Sequence, residues 1–255
     1  MDLQLNGLRA LVGGGSSGLG RAIATELVAE RARVVLASRP GAKLDEAAAA
    51  IGADAVGANL STVDGPATAV AGAVERLSGL DLLVVNSGGP KSGTFEDVDD
   101  AAWEAAIDGV LHAALRLIRA SLPHLRESAS PAILIILSSS VREPIPHLVT
   151  SNVLRPGLVG LIKTLAAEIA PVRINGIAPG RVATDRITEL DTMQSQRSGR
   201  PVEEVRQAQI ARIPLGRYGD PAEVGRVGAF LLSPAAGYVT GAIVPVDGGM
   251  VRALP

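Results

Sequence analysis

The chain has 255 residues, a net charge of −2 and no cysteine. This excludes disulfides, thiolate catalysis and cysteine-ligated metals, fits a reducing cytoplasmic location, and gives no electrostatic basis for binding nucleic acid. Apolar residues make up 47% and aromatics only 2%, so the core must be built from Ala, Val, Leu and Ile. No apolar run approaches the ~20 residues that span a bilayer, so no membrane partner is expected. The start of the chain, with Asp2, does not read as a secretory leader, and no His, Asp or Glu cluster has metal-ligand spacing.

Strand and helix patterns alternate from end to end. Residues 8–12 predict a first strand and 18–30 a first helix. A second buried strand spans 33–38, with a helix over 43–50 and a weaker strand over 53–60. Ser61 and Asp64 read as a capping box opening a helix to about Leu77. Residues 80–86 predict a fourth strand, followed by a long helix around 101–122. Residues 132–139 predict a fifth strand and 154–169 the helix after it. A sixth strand covers 173–178. Asp220, Pro221 and Glu223 form an N-cap, first-turn proline and capping-box acid for a helix to about Leu232. A last short strand covers 243–246. Continuous apolar strands separated by helices imply a parallel sheet buried on both faces, hence a single-domain α/β fold of about seven doubly wound strands, with ligands at the strand C-termini. Residues 186–212 leave the sixth strand on that side as a polar, then weakly amphipathic excursion. It reads either as a substrate lid or as a plain surface excursion.

The stretch from Arg9 to Gly20 joins a short apolar strand to an amphipathic helix through a turn rich in glycine and serine. That arrangement brings backbone N–H groups and a helix N-terminus to a phosphate. Gly14 suits a tight turn out of the strand, Gly18 a close backbone approach to the ligand, and Gly20 close packing of helix on strand. Ser38-Arg39 follows the second strand, where an enzyme preferring NAD carries an acid. The fork of Arg39 suits a 2′-phosphate. NADP(H) is therefore expected over NAD(H), against the alternative that Arg39 is a solvated loop arginine.

Five motifs resemble, in order and spacing, those of the short-chain dehydrogenase/reductase family. They are Gly14-x-x-x-Gly18-x-Gly20, residues 86–89, Ser138-Ser139-Ser140 after a buried strand, residues 175–180 and residues 246–249. The branch with the 3-oxoacyl-carrier-protein reductases is the most similar. The resemblance implies a Rossmann-type fold, a nicotinamide cofactor, hydride transfer at the carbonyl carbon of a small molecule, and a homo-oligomer, dimer or tetramer. It also implies that Ser16, Ser17, Gly18 and Leu19 line the pyrophosphate and adenosine ribose, and that Asn59 and Leu60 flank adenine. Asn86 and Gly88 would lie under the nicotinamide-side ribose. Pro179, Gly180, Val182 and Thr184 would hold the carboxamide. Gly13 replaces the family's usual threonine.

The catalytic positions depart from the family. Matching the helix after its tyrosine puts Ser151 at the tyrosine position and Arg155 at the lysine position, and Val110 falls where asparagine is expected. Ser139 matches the serine, with Ser138 and Ser140 as rival registers. A serine hydroxyl is shorter and far less acidic than a phenol, and arginine is a poor proton carrier. His147, in the loop between, could move protons or simply be exposed. Arg142 and Glu143 could contact substrate or pair with each other. Two hypotheses follow: an oxidoreductase with a remodelled proton relay in which Ser139, Ser151 and Arg155 act, or a non-catalytic nucleotide-binding or scaffold protein.

Overall fold

The computed structural model describes residues 1–253, so the last two residues of the expected 1–255 domain lie outside the described region. Seven strands form one sheet: β1 (Arg9–Gly13), β2 (Arg33–Ser38), β3 (Asp54–Gly57), β4 (Leu82–Val85), β5 (Ala132–Ile136), β6 (Arg173–Pro179) and β7 (Ile243–Val246). Their order is β3-β2-β1-β4-β5-β6-β7 and every pairing is parallel. The chain reverses its direction of growth between β1 and β4. In doubly wound sheets that point opens a crevice at the strand C-termini.

Because strand side chains alternate, an apolar run through a central strand supplies two cores at once. Ala10, Val12, Leu82, Val84, Leu134 and Ile136 point to one face. There they pack under α1 (Gly18–Ala29), α2 (Ala42–Ile51) and α9 (Pro221–Leu232). Leu11, Leu83, Val85, Ile133 and Ile135 point to the other. That face is covered by α3 (Gly65–Leu77), by α4 (Asp100–Ala106) and α5 (Ala113–Leu125), and by α6 (Val149–Glu168). The excursion after β6 contains α7 (Asp185–Ser198) and α8 (Val202–Ile210).

Several local expectations are corrected. No side-chain cap forms at Asp64, so the Ser61–Asp64 capping box is absent. Asn59 organises that turn instead: its Oδ1 accepts from the Ser61 amide and hydroxyl, and Thr62 Oγ1 accepts from the Gly65 amide. The expected helix over 101–122 is one α-helix broken by a π turn at Ile107–His112, where the Ala113 amide reaches the Asp108 carbonyl. Gly109, Ile107 and Val110 have low helix propensity, which weakens the regular winding there. α6 begins at Val149, five residues before expected, because Pro156 lies inside the helix rather than near its start. The Asp220–Glu223 capping box is present, with the Ala222 amide 2.8 Å from Asp220 Oδ1 and the Asp220 amide 2.8 Å from Glu223 Oε2. Such a cap is worth about 1 kcal/mol.

Candidate active site

The turn between β1 and α1 divides its glycines by task. Gly14 and Gly18 have φ of 59° and 55°. A Cβ on Gly14 would lie 2.6 Å from the Asn86 carbonyl oxygen, and one on Gly20 would lie 2.5 Å from that of Gly14. A Cβ on Gly18 would meet nothing within 4 Å. Gly14 and Gly20 thus permit close packing, whereas Gly18 leaves backbone facing open space. Asn86 Nδ2 donates to the Gly14 carbonyl at 3.1 Å and fastens the end of β4 to the turn. Ser17, the α1 N-cap residue, makes no side-chain cap, so the first amides of the helix remain available to a ligand.

A cavity of about 1130 Å³ runs from this turn along the strand C-termini. Ser16, Ser17, Gly18, Leu19, Ser38 and Arg39 line one end, with Asn59 and Leu60 beside them. Ser16 Oγ and Ser38 Oγ lie 2.9 Å apart and tie the turn to the end of β2. Gly14, Asn86 and Gly88 line the middle, and Pro179, Gly180, Val182 and Thr184 the far wall. Gly20 alone of the expected cofactor positions lies behind the wall, consistent with its packing task.

Ser139, Ser151 and Arg155 share the far end of the same cavity, with Ser138, Val110, Glu143 and His147. β5 ends at Ile136, and a single 3-10 turn at Ser139–Val141 then carries the serines sideways. Ser138 Oγ accepts from the Ser140 amide at 3.1 Å. Ser140 lies behind the cavity wall, its hydroxyl 3.2 Å from that of Ser151. Ser139 Oγ has no partner among the described residues. One turn further along α6, Arg155 is only 9% exposed and donates from Nη1 to the Ile136 and Leu137 carbonyls at 2.8 and 3.0 Å. Burial, then the nearby charge of Arg186, push its guanidinium down to about 10. It is therefore still a cation at neutral pH.

Two loops close over this end. The His147 carbonyl accepts from the Gly93 amide at 2.7 Å, and Asn152 exchanges two hydrogen bonds with the Ile145 backbone. His147 itself is exposed, with φ 61°. Arg142 and Glu143 form no ion pair, and only Glu143 reaches the cavity. From α7, Arg186 Nη2 donates to the Pro90 carbonyl at 2.9 Å and to Ser92 Oγ at 3.0 Å, linking the excursion to the loop after β4. The middle of α7 is held by Asp191, which accepts from Arg181 and from the Tyr218 hydroxyl. Burial and the Asp191 hydrogen bond outweigh Arg181 and push the Tyr218 phenol up to about 12. Tyr218 is buried against Asp191 and does not line the cavity, and Tyr238 is fully exposed. Ser140, a rival register for Ser139 in the sequence, supports Ser151 from behind the wall, whereas Asn152 and Arg186 were not among the site residues expected from the sequence. Only Arg186 carried a signal, its helical spacing from Leu190 and Gln194.

The cavity fits a dinucleotide: a glycine turn that a Cβ would fill, uncapped helix amides, and a second-strand end with a serine and an arginine in place of an acid. Among the described residues there is no group of three or more His, Asp or Glu able to hold a metal, and no helix is long and apolar enough to cross a membrane.

Residues 14–251 match the family model described as enoyl-(acyl carrier protein) reductase. Galactitol 2-dehydrogenase (L-tagatose-forming) from Cereibacter sphaeroides is 35% identical, covering 96% of both chains. The 3-oxoacyl-(acyl-carrier-protein) reductase of Aquifex aeolicus is 31% identical over 98% of this chain and 100% of its own. Among solved structures, L-sorbose reductase from Gluconobacter frateurii with NADPH and L-sorbose superposes with a TM-score of 0.92 at 29% identity, covering 100% of both chains. An NADPH-bound short-chain oxidoreductase from Pseudomonas aeruginosa with an atypical catalytic centre gives 0.86 at 31% identity, over 98% of this chain and 100% of that one.

Proposed function

The chain belongs to the short-chain dehydrogenase/reductase family, and from that premise we propose that it is an NADP(H)-dependent oxidoreductase acting on a small carbonyl or alcohol substrate through a proton relay without tyrosine. The observation that carries this reading is the meeting, in one cavity, of the glycine turn with Ser139, Ser151 and Arg155. The NADPH complexes of similar proteins and the pairing of Ser38 with Arg39 in place of an acid support the choice of cofactor. Ser16, Ser17, Gly18 and Leu19 would hold the pyrophosphate side, and Arg39 the 2′-phosphate. Asn59 and Leu60 would flank adenine, Asn86 and Gly88 would lie under the second ribose, and Pro179, Gly180, Val182 and Thr184 would hold the carboxamide.

The bound nicotinamide would supply the hydride. Ser139, whose hydroxyl is unengaged, would donate to the substrate carbonyl oxygen. Ser151, a bound water or His147 would deliver the proton that completes the alcohol. Arg155 would fix the ribose hydroxyls with the edge of its guanidinium not used on β5. α7 and α8 would act as the lid, with Arg186 as its latch to the loop after β4. We also infer a cytoplasmic homo-oligomer, dimer or tetramer, built on the helical faces of α4–α5 and α6.

The competing reading is a non-catalytic nucleotide-binding scaffold. What favours it is the identity of Val110, Ser151 and Arg155, where the family carries asparagine, tyrosine and lysine; loss of an acid–base partner typically costs ~10²–10⁴ in rate. NADPH titration followed by a ketone panel, 3-oxoacyl thioesters included, separates the two. The enzyme reading expects NADPH oxidation that Ser139→Ala abolishes. Tight NADPH binding with no turnover across the panel supports the scaffold.

A further inference from the structure

The charge of the cavity's reacting end does not match that of the molecule. The chain carries a net charge of −2, yet Lys91, Arg155, Arg181, Arg186, Arg197 and Arg212 line the cavity beyond Arg39, with Glu143 and Asp185 as its lining acids. Just outside it Arg181 pairs with Asp191, Arg186 with Glu189 at 3.5 Å, and Asp97 lies near Arg197. Arg155 is buried without a carboxylate partner. Its hydrogen bonds go to two neutral carbonyls, and ribose hydroxyls would leave its charge equally uncompensated. A buried cation lacking a counter-charge is costly and favours an anion brought by a ligand.

The excursion adds to this field in a patterned way. Arg186, Leu190, Gln194 and Arg197 fall at spacings of four, four and three along α7, so they share one face. All four line the cavity. Gln194 Oε1 accepts from Gln209 Nε2 at 2.9 Å and fixes α8 to α7. Arg212, three residues past Gln209, also lines the cavity. Neither Arg197 nor Arg212 has an ion-pair or side-chain hydrogen-bond partner among the described residues. Clefts lined by one sign of charge raise the local concentration of the opposite one.

We propose that the substrate is an anionic carbonyl compound, whose carboxylate is held by Arg197 and Arg212 from the excursion while its carbonyl meets Ser139 under the positive field of Arg155 and Arg186. This rests on the oxidoreductase reading for the carbonyl and makes a separate claim about the charge. A neutral sugar or an uncharged ketone would leave Arg197 and Arg212, both exposed, with solvent alone.

The test uses the full-length protein saturated with NADP⁺, so that phosphate contacts of the cofactor are already made. The probes are 2-, 4- and 5-oxohexanoate and their methyl esters, titrated by calorimetry. At least one acid should bind ten-fold or more tightly than its ester, with the ratio shrinking as sodium chloride rises from 20 to 300 mM. The double variant Arg197→Gln/Arg212→Gln should bring that ratio towards one. Arg126→Gln, on the surface away from the cavity, is the control and should preserve it. If no acid outbinds its ester, or the ratio survives the double variant, the proposal falls. Acid binding without NADPH oxidation would sustain the anion site and sink the oxidoreductase reading. Oxidation of NADPH by the esters with no preference for acids would do the reverse.

Discussion

The hydroxyls of Ser140 and Ser151 lie 3.2 Å apart, one behind the cavity wall and one in it. That contact holds Ser151 on the first turn of α6, one turn before Arg155, so both present to the same end of the cavity. If these are the positions of the missing phenol and ammonium, then Val110→Asn, Ser151→Tyr and Arg155→Lys together restore an acidic donor, its lysine and a water ligand. The expected gain in kcat for ketone reduction is at least ~10², measured by NADPH oxidation with circular dichroism as the check on folding. No gain in a folded variant would refute the assignment of these positions.

Arg39 lies beside Ser38 at the adenosine end, exposed and with no side-chain partner among the described residues. On the proposed function Arg39 would pair with a 2′-phosphate, a charge-assisted contact worth about 1.5–3 kcal/mol. Arg39→Asp should therefore weaken NADPH about 10–100-fold and leave NADH unchanged or tighter. Fluorescence titration of both cofactors measures this. Equal NADPH affinity in the variant would show that Arg39 is a solvated loop residue.

Gly14 and Gly18 both have positive φ, but their surroundings differ. Gly18→Ala introduces only backbone strain, roughly 1–2 kcal/mol. Gly14→Ala adds a methyl 2.6 Å from a main-chain oxygen, which cannot move without displacing β4. The melting temperature should fall further for Gly14→Ala. In Gly18→Ala the loss should be chiefly of NADPH affinity, because the methyl occupies the space in front of the helix amides.

Arg9 and Asp81 join the starts of β1 and β4 through a two-pronged ion pair, with Nε and Nη2 each 2.8 Å from a carboxylate oxygen. Burial pushes the Asp81 carboxyl up, but hydrogen bonds from Arg9 outweigh it and hold the group below its ordinary value. A depressed carboxylate contributes stability above its unfolded pKa and loses it as pH falls through the folded one. Asp81→Asn should cost about 2 kcal/mol at pH 7, less than a fully buried pair because Arg9 is partly exposed. The gap between wild type and variant should narrow as pH falls below about 4. Urea melts at pH 7, 5 and 3 follow it, and a gap constant with pH would overturn the account.

The sheet was legible because its central strands are apolar on both faces, and Leu82–Val85 or Ala132–Ile136 admits little else. The turn after β1 was legible because Gly14 and Gly18 hold positive φ there, a conformation that favours glycine. Other features left weaker traces. Arg155 and Asn86 bond main-chain carbonyls, and main-chain partners leave no mark on side-chain spacing. The early start of α6 was masked by Pro156. Ser61 and Asp64 had the letters of a capping box, but Asn59 won the competition for the local amide and hydroxyl. The excursion reads as polar because Asp191 and Val205 are the only fully buried side chains on its two helices, so its helices follow the cavity more than the core.

The π turn at Ile107–His112 means that the long helix over the sheet contains one residue more than its path requires. The surplus is taken up between α4 and α5, each of which is regularly α-helical over its own span. Val110, buried in this segment, belongs at once to the core and to the cavity wall. At this turn the cavity wall and the core are therefore one surface, so a side chain changed for the ligand is also a change to the packing.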